Sequence, residues 1–109
     1  MEAVPTEFSV HRTKIVDYLL NPDHAEGGPK AQFFLSCGFS RDDPPEFIRE
    51  LFWHATAASF VRAVDGLWGT KFVFEGMLVT PNARNPRIRS VWHRAPGARL
   101  AELVTAYPI

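Results

Sequence analysis

After Ala58 the apolar residues change their spacing, and that change limits the folds open to the chain more than any other feature. Before it they recur at helical intervals: Ile15, Val16, Tyr18, Leu19 and Leu20; Ala31, Phe34 and Leu35; and Phe47, Ile48, Leu51, Phe52 and Ala55. Beyond it they alternate over residues 59–64, 70–77, 87–93 and 100–107, the pattern of half-buried strands. Strands separated by turn residues rather than by helices pair antiparallel. The expectation is an α+β domain: three short N-terminal helices followed by a roughly four-stranded antiparallel sheet, one face of which the helices cover.

Turn chemistry sets the boundaries. Thr13 reads as the N-cap of the first helix, and Asn21-Pro22 ends it, because the residue before proline avoids the α region. Gly28 as N-cap with Pro29 at the first helical position opens the second, which should run to Cys37 and close on a left-handed Gly38, with Phe39 folding back on Phe34. Asp43-Pro44-Pro45-Glu46 reads as a capping box opening the third. Residues 1–12 are expected to be a loose lead-in and residues 13–109 a single domain.

The composition excludes several function classes. Twelve Lys and Arg balance twelve Asp and Glu, so the chain is not a strongly basic nucleic-acid binder and any basic site must be local. Cys37 is the lone cysteine; it cannot form an internal disulfide and is better read as packing than as a reactive thiol. Without CxxC or His-rich spacing, neither a metal nor another cofactor is expected. No apolar run approaches the ~20 residues that span a bilayer, and the N-terminus lacks a signal-peptide pattern. The cytoplasm is the expected compartment, with export as part of a toxin system left open.

A set of motifs spread over most of the chain carries a family resemblance. It comprises Lys14-Ile15-x-x-Tyr18-Leu19-Leu20-Asn21-Pro22-x-His24, Gly28-x-Lys30-Ala31-x-Phe33-Phe34, Gly38-Phe39, Trp68-Gly69-Thr70-Lys71-Phe72, Gly76, Arg87-Ile88-Arg89-Ser90-Val91-Trp92 and Leu103-Val104-Thr105-Ala106-Tyr107. The set resembles a family of short bacterial domains found alone, at the C-terminal ends of polymorphic toxins, and beside small genes in toxin–antitoxin-like pairs. The helix-then-sheet order is similar to that of the barnase, EndoU, colicin and RelE group of metal-independent ribonucleases. The resemblance implies an RNA-cleaving toxin domain and a small cognate inhibitor protein as partner. Two positions depart from the family pattern: Ser90 stands where a threonine is usual, and His93 where an aliphatic residue is usual.

Metal-free RNA cleavage needs a base for the 2′-hydroxyl, an acid for the 5′-oxygen, and cations or N–H donors around the phosphorus. His24 is the acid/base candidate. Lys30, in the first turn of a helix, could hold the phosphate beside free backbone N–H groups. Arg89 could clamp it, with Ser90 or Thr105 donating a further hydrogen bond. Each has a plainer reading: His24 as a turn residue bonding nearby backbone, Lys30 as a solvated side chain, and Arg89 as the cross-strand partner of Glu75. His54 reads as a helix-face residue. The competing function is a non-enzymatic interaction module, a toxin-system partner or inactive copy, that binds protein through Trp53 and Trp68.

Overall fold

The computed structural model describes residues 4–109. A short strand β1 (Phe8–Ser9) leads into a helical turn α1 (Arg12–Lys14) that continues without a break as a π-helical turn (Ile15–Leu19). Helices α2 (Gly28–Ser36) and α3 (Pro44–His54) follow, then strands β2 (Phe60–Gly66), β3 (Gly69–Met77), β4 (Arg87–Arg94) and β5 (Ala101–Pro108). The sheet has five strands in the order β1-β5-β4-β3-β2. Its last four strands are antiparallel as expected, but β1 joins the edge parallel to β5, so the sheet is mixed. Two residues gave no periodicity to read. Phe8 is nevertheless fixed by its ring, edge-on to Trp92 at 5.0 Å.

The helix boundaries follow turn chemistry with three corrections. At the end of α2, Gly38 takes φ +101. The Gly38 N–H bonds the Leu35 carbonyl at 3.0 Å and the Phe39 N–H bonds the Phe34 carbonyl at 3.4 Å, the paired closure that a left-handed glycine permits. The expected capping box at Asp43 is not formed. Pro45 removes one of the two N–H groups that the Asp43 side chain could cap, and the Asp43 N–H, which Glu46 would have to reach, is already taken by the Ser40 carbonyl at 3.1 Å. The N-cap of α1 is His11 rather than Thr13, and that of α2 is Gly27 rather than Gly28, which puts Pro29 at the second helical position.

All three helices pack on one face of the sheet. Ile15, Leu19, Phe34, Phe47 and Leu51 meet Phe72, Phe74, Ile88, Trp92, Leu103 and Ala106 in a single core. Cys37 is buried within it. Among the described residues, no helix is long and apolar enough to cross a membrane.

One irregularity positions everything that follows. Trp92 pairs with Leu103 but Val91 pairs with Thr105, leaving Val104 as an extra residue in β5. In a regular strand, residues two apart share a face. The bulge breaks that rule, so Ala101, Leu103 and Ala106 face the core while Thr105 and Tyr107 face away from it. β1 pairs only with Ala101 and Glu102, so among the described residues the rest of the outer edge of β5 has no strand beside it.

Candidate functional site

At that free edge the π-helical turn brings Tyr18 within reach of β5, and Lys30 follows from the first turn of α2. The phenol oxygen of Tyr18 lies 2.9 Å from Thr105 Oγ1. Lys30 Nζ donates to the phenol oxygen at 2.6 Å and to Thr105 Oγ1 at 3.1 Å. The ammonium also sits 5.2 Å from the centre of the Tyr18 ring and 5.6 Å from that of Tyr107. Its charge thus faces hydroxyls and ring faces. Lys14, one helical turn before Tyr18, also lies over this ring, 5.2 Å from its centre. Lys14, Tyr18, His24, Lys30 and Thr105 line a cleft of about 600 Å³. Asp17 and Glu26 also line it and are exposed, whereas Lys14, Tyr18 and Lys30 are half-buried.

Burial by itself would make the Tyr18 phenol harder to ionise. The hydrogen bonds from Lys30 and Thr105, with the charges of Lys30 and Lys14, outweigh it and hold the phenol below its ordinary 10.0. A phenol that ionises more readily beside a fixed ammonium is a proton acceptor with its counter-charge already in place.

His24 occupies the turn between the π-helical segment and α2, its ring edge-on to Tyr18 at 5.0 Å between centres. Its Nδ1 accepts the backbone N–H groups of Glu26 at 3.1 Å and Gly27 at 2.9 Å. The neutral ring therefore carries its proton on Nε2, and the group it offers is a donor.

The sequence candidates divide. His24, Lys30 and Thr105 line the same cleft. Arg89 is one residue removed: its Nη1 donates to the Tyr107 hydroxyl at 3.1 Å, and its Nη2 meets a Glu75 oxygen at 2.6 Å, the cross-strand pairing that opposite charges favour. Ser90 is elsewhere. Adjacent residues of a strand face opposite ways, so Arg89 and Ser90 cannot both reach the cleft, and Ser90 is fully buried in the core. There its Oγ accepts from Trp92 Nε1 at 2.9 Å and lies 2.9 Å from His54 Nδ1, while His54 Nε2 is 3.2 Å from the Gly76 and Ile88 carbonyls. His54, read as a helix-face residue, is buried in that network at 4% exposure.

Sequence reasoning did not offer Tyr18 as a candidate, because its place in an apolar stripe explained it. The signal available was its polar tip, which needs a partner when the ring is half-buried, and a lysine one turn earlier.

The fold is similar to that of a chain from a solved complex described as a contact-dependent growth inhibition toxin with its immunity protein, from Klebsiella pneumoniae 342. The similarity has a TM-score of 0.74 at 13% sequence identity and covers 92% of this chain and 98% of that one. No curated protein matches the sequence. Residues 5–109 match one family along almost the whole chain, and the chain belongs to it: the Domain of unknown function (DUF6883) family.

Proposed function

We propose that the protein is a metal-independent ribonuclease acting in a toxin system, with the Tyr18–Lys30–Thr105 cluster as its catalytic centre. The observation that carries this reading is the 2.6 Å hydrogen bond from the Lys30 ammonium to a phenol held below its ordinary pKa. The fold shared with a chain of a toxin–immunity complex supports the toxin context, and supports a small inhibitor protein as partner.

The ionised Tyr18 phenol takes the proton of the 2′-hydroxyl as that oxygen bonds to the adjacent phosphorus. The bond from phosphorus to the 5′-oxygen breaks, and the departing oxygen takes a proton from Lys30. The products are a 2′,3′-cyclic phosphate and a 5′-hydroxyl. Transfer of the phenol proton to the Lys30 amine along their hydrogen bond restores both groups. Lys30 also offsets the charge that grows on the phosphate oxygens, where His24 Nε2–H and the Thr105 hydroxyl supply further donors. Arg89 reaches the phosphate chain beyond Tyr107. Ser90 is assigned no part, because its hydroxyl is spent in the core.

The test is incubation of the purified protein with total cellular RNA in EDTA. Cleavage leaving 2′,3′-cyclic phosphate ends is expected, with a 2′-deoxy residue at the cut site resisting. Tyr18→Phe and Lys30→Met should each lower the rate by about 10²–10⁴-fold, the usual contribution of positioned proton transfer. Intact RNA with the parent protein, or equal cutting by the variants, would overturn the proposal and leave binding through Trp53 and Trp68 as the function.

A further inference from the structure

The balanced charge total hides a local imbalance. Alternation along β2, β3 and β4 places Arg62, Lys71, Arg87 and Arg89 on the sheet face away from the helices. Two carboxylates share that face. Glu75 is ion-paired with Arg89 at 2.6 Å, and Glu102 lies toward the β1 edge, 3.4 Å from His11 Nε2. In a chain with twelve cations and twelve anions, this face is locally cationic.

It is continuous with the cleft at one end. The Lys30 ammonium lies 5.6 Å from the centre of the Tyr107 ring, and the Arg89 guanidinium lies 5.5 Å from the same centre. At the other end, the β2–β3 turn presents Leu67 at 91% and Trp68 at 82% exposure. Trp68, Lys71 and His93 line a concavity of about 240 Å³ there, together with Asp65, whose carboxylate accepts from the Thr70 hydroxyl at 2.7 Å. Lys71 and His93 are cross-strand partners, and the His93 ring closes over the turn because position 69 has no side chain: a Cβ there would meet His93 Nε2 at 2.8 Å. An exposed indole beside an ammonium and an imidazole is the set of groups that holds one nucleotide, the ring stacking on a base and the cation meeting its phosphate.

We propose that a single RNA strand seated in the Tyr18–Lys30–Thr105 cleft continues over the open sheet face, past Arg89, to a second subsite at the β2–β3 turn where Trp68 stacks on a base beside Lys71 and His93. This rests on the ribonuclease reading for its first end only. Thr105 stands level with Val91 and Val73, so the path to Trp68 crosses two strand spacings, about 10 Å, and runs five residues along β3 and its turn, about 17 Å; the direct span of roughly 20 Å takes a strand of several nucleotides and leaves very short ones unaffected.

The experiment measures binding of fluorescent 2′-O-methyl RNA, which cannot be cut, as a 12-mer and a 4-mer, to the full chain and its variants Trp68→Ala, Lys71→Glu and, as an exposed control, Trp53→Ala. Trp68→Ala should weaken binding of the 12-mer about 10-fold and leave the 4-mer unchanged, while Trp53→Ala should bind both as the parent does. Lys71→Glu should weaken the 12-mer and lower the salt slope by about one. A parent that cuts RNA while Trp68→Ala and Lys71→Glu bind the 12-mer unchanged overturns the subsite and leaves the ribonuclease reading intact. Trp68-dependent binding without cutting by the parent supports the subsite and overturns that reading. No RNA binding by the parent, with Trp68 needed instead to hold a cognate inhibitor protein, overturns the RNA track.

Discussion

The Lys30 ammonium and the Tyr18 phenol, twelve residues apart in the chain, meet at 2.6 Å, and Thr105 closes the cluster at 3.1 Å from the ammonium. The contact makes the phenol a reporter of the cleft. Of the two tyrosines, Tyr18 should ionise below its ordinary 10.0. In Lys30→Met its pKa should move upward, because burial remains while the largest opposing cation is gone. Ultraviolet titration of the parent and of Lys30→Met, each differenced against its Tyr18→Phe counterpart, measures this. An unmoved phenol would show that the two groups are apart in solution.

Cleavage should follow the same ionisation. The rate per enzyme is expected to climb with pH toward the Tyr18 pKa, and this rising limb should shift to higher pH in Thr105→Val, which loses one hydrogen bond to the phenol. A pH–rate profile on a short RNA checks both. A flat profile across the range where the phenol titrates would exclude Tyr18 as the base.

Gly27 gives a way to move Tyr18 without touching its chemistry. Its backbone is at φ −86 and ψ −12, open to alanine. A Cβ there would nevertheless lie 2.4 Å from Tyr18 Cδ1 and 2.8 Å from the Tyr18 carbonyl oxygen. Gly27→Ala should cost about 1–3 kcal/mol, the usual range for overpacking. It should also return the phenol toward its ordinary titration and reduce cleavage as Tyr18→Phe does. Thermal melting and the phenol titration together separate displacement of the ring from unfolding.

His54 predicts the acid limb of stability. Burial is the main influence on its imidazole; carbonyl hydrogen bonds from Gly76 and Ile88 oppose it, and the Arg87 charge adds to it, with the net effect below the ordinary 6.5. As pH falls through 6.5, the unfolded chain therefore takes up this proton before the folded one. The stability contributed by the neutral ring is complete above 6.5 and declines below it, by up to about 1.4 kcal/mol per pH unit. Urea unfolding of parent and His54→Gln between pH 7.5 and 5 should show a steeper loss in the parent. At neutral pH, His54→Ala should cost about 1–3 kcal/mol by leaving the Ser90 hydroxyl short of a partner.

Gly69 tests the β2–β3 turn. It takes φ +124, and a Cβ would lie 2.1 Å from the Arg94 carbonyl oxygen. Gly69→Ala should destabilise the domain by at least about 1 kcal/mol, since backbone strain and overlap add. Chemical denaturation measures it, and an unchanged midpoint would mean that the turn is not held as described.

Local chemistry made much of the fold legible. The change of period after Ala58 separates helices from strands because side-chain direction repeats every 3.6 residues in one and every 2 in the other. Gly38 announces the end of α2 because left-handed backbone excludes most side chains. The Arg89–Glu75 pair follows from strand pairing. The candidate site was legible in part: His24, Lys30 and Thr105 line the same cleft, while Tyr18 passed as core and Ser90 was placed with Arg89 although the two point to opposite faces.

What the sequence determined was each segment's own conformation, since hydrophobic period, proline and glycine act over a few residues. Tertiary structure decided which segments meet: the parallel pairing of Phe8–Ser9 with β5, the π-helical turn that aims Tyr18, and the Val104 bulge that turns Thr105 out of the core. These depend on contacts between residues as far apart as the 87 positions from Tyr18 to Thr105, and no local preference encodes where such distant groups come to rest.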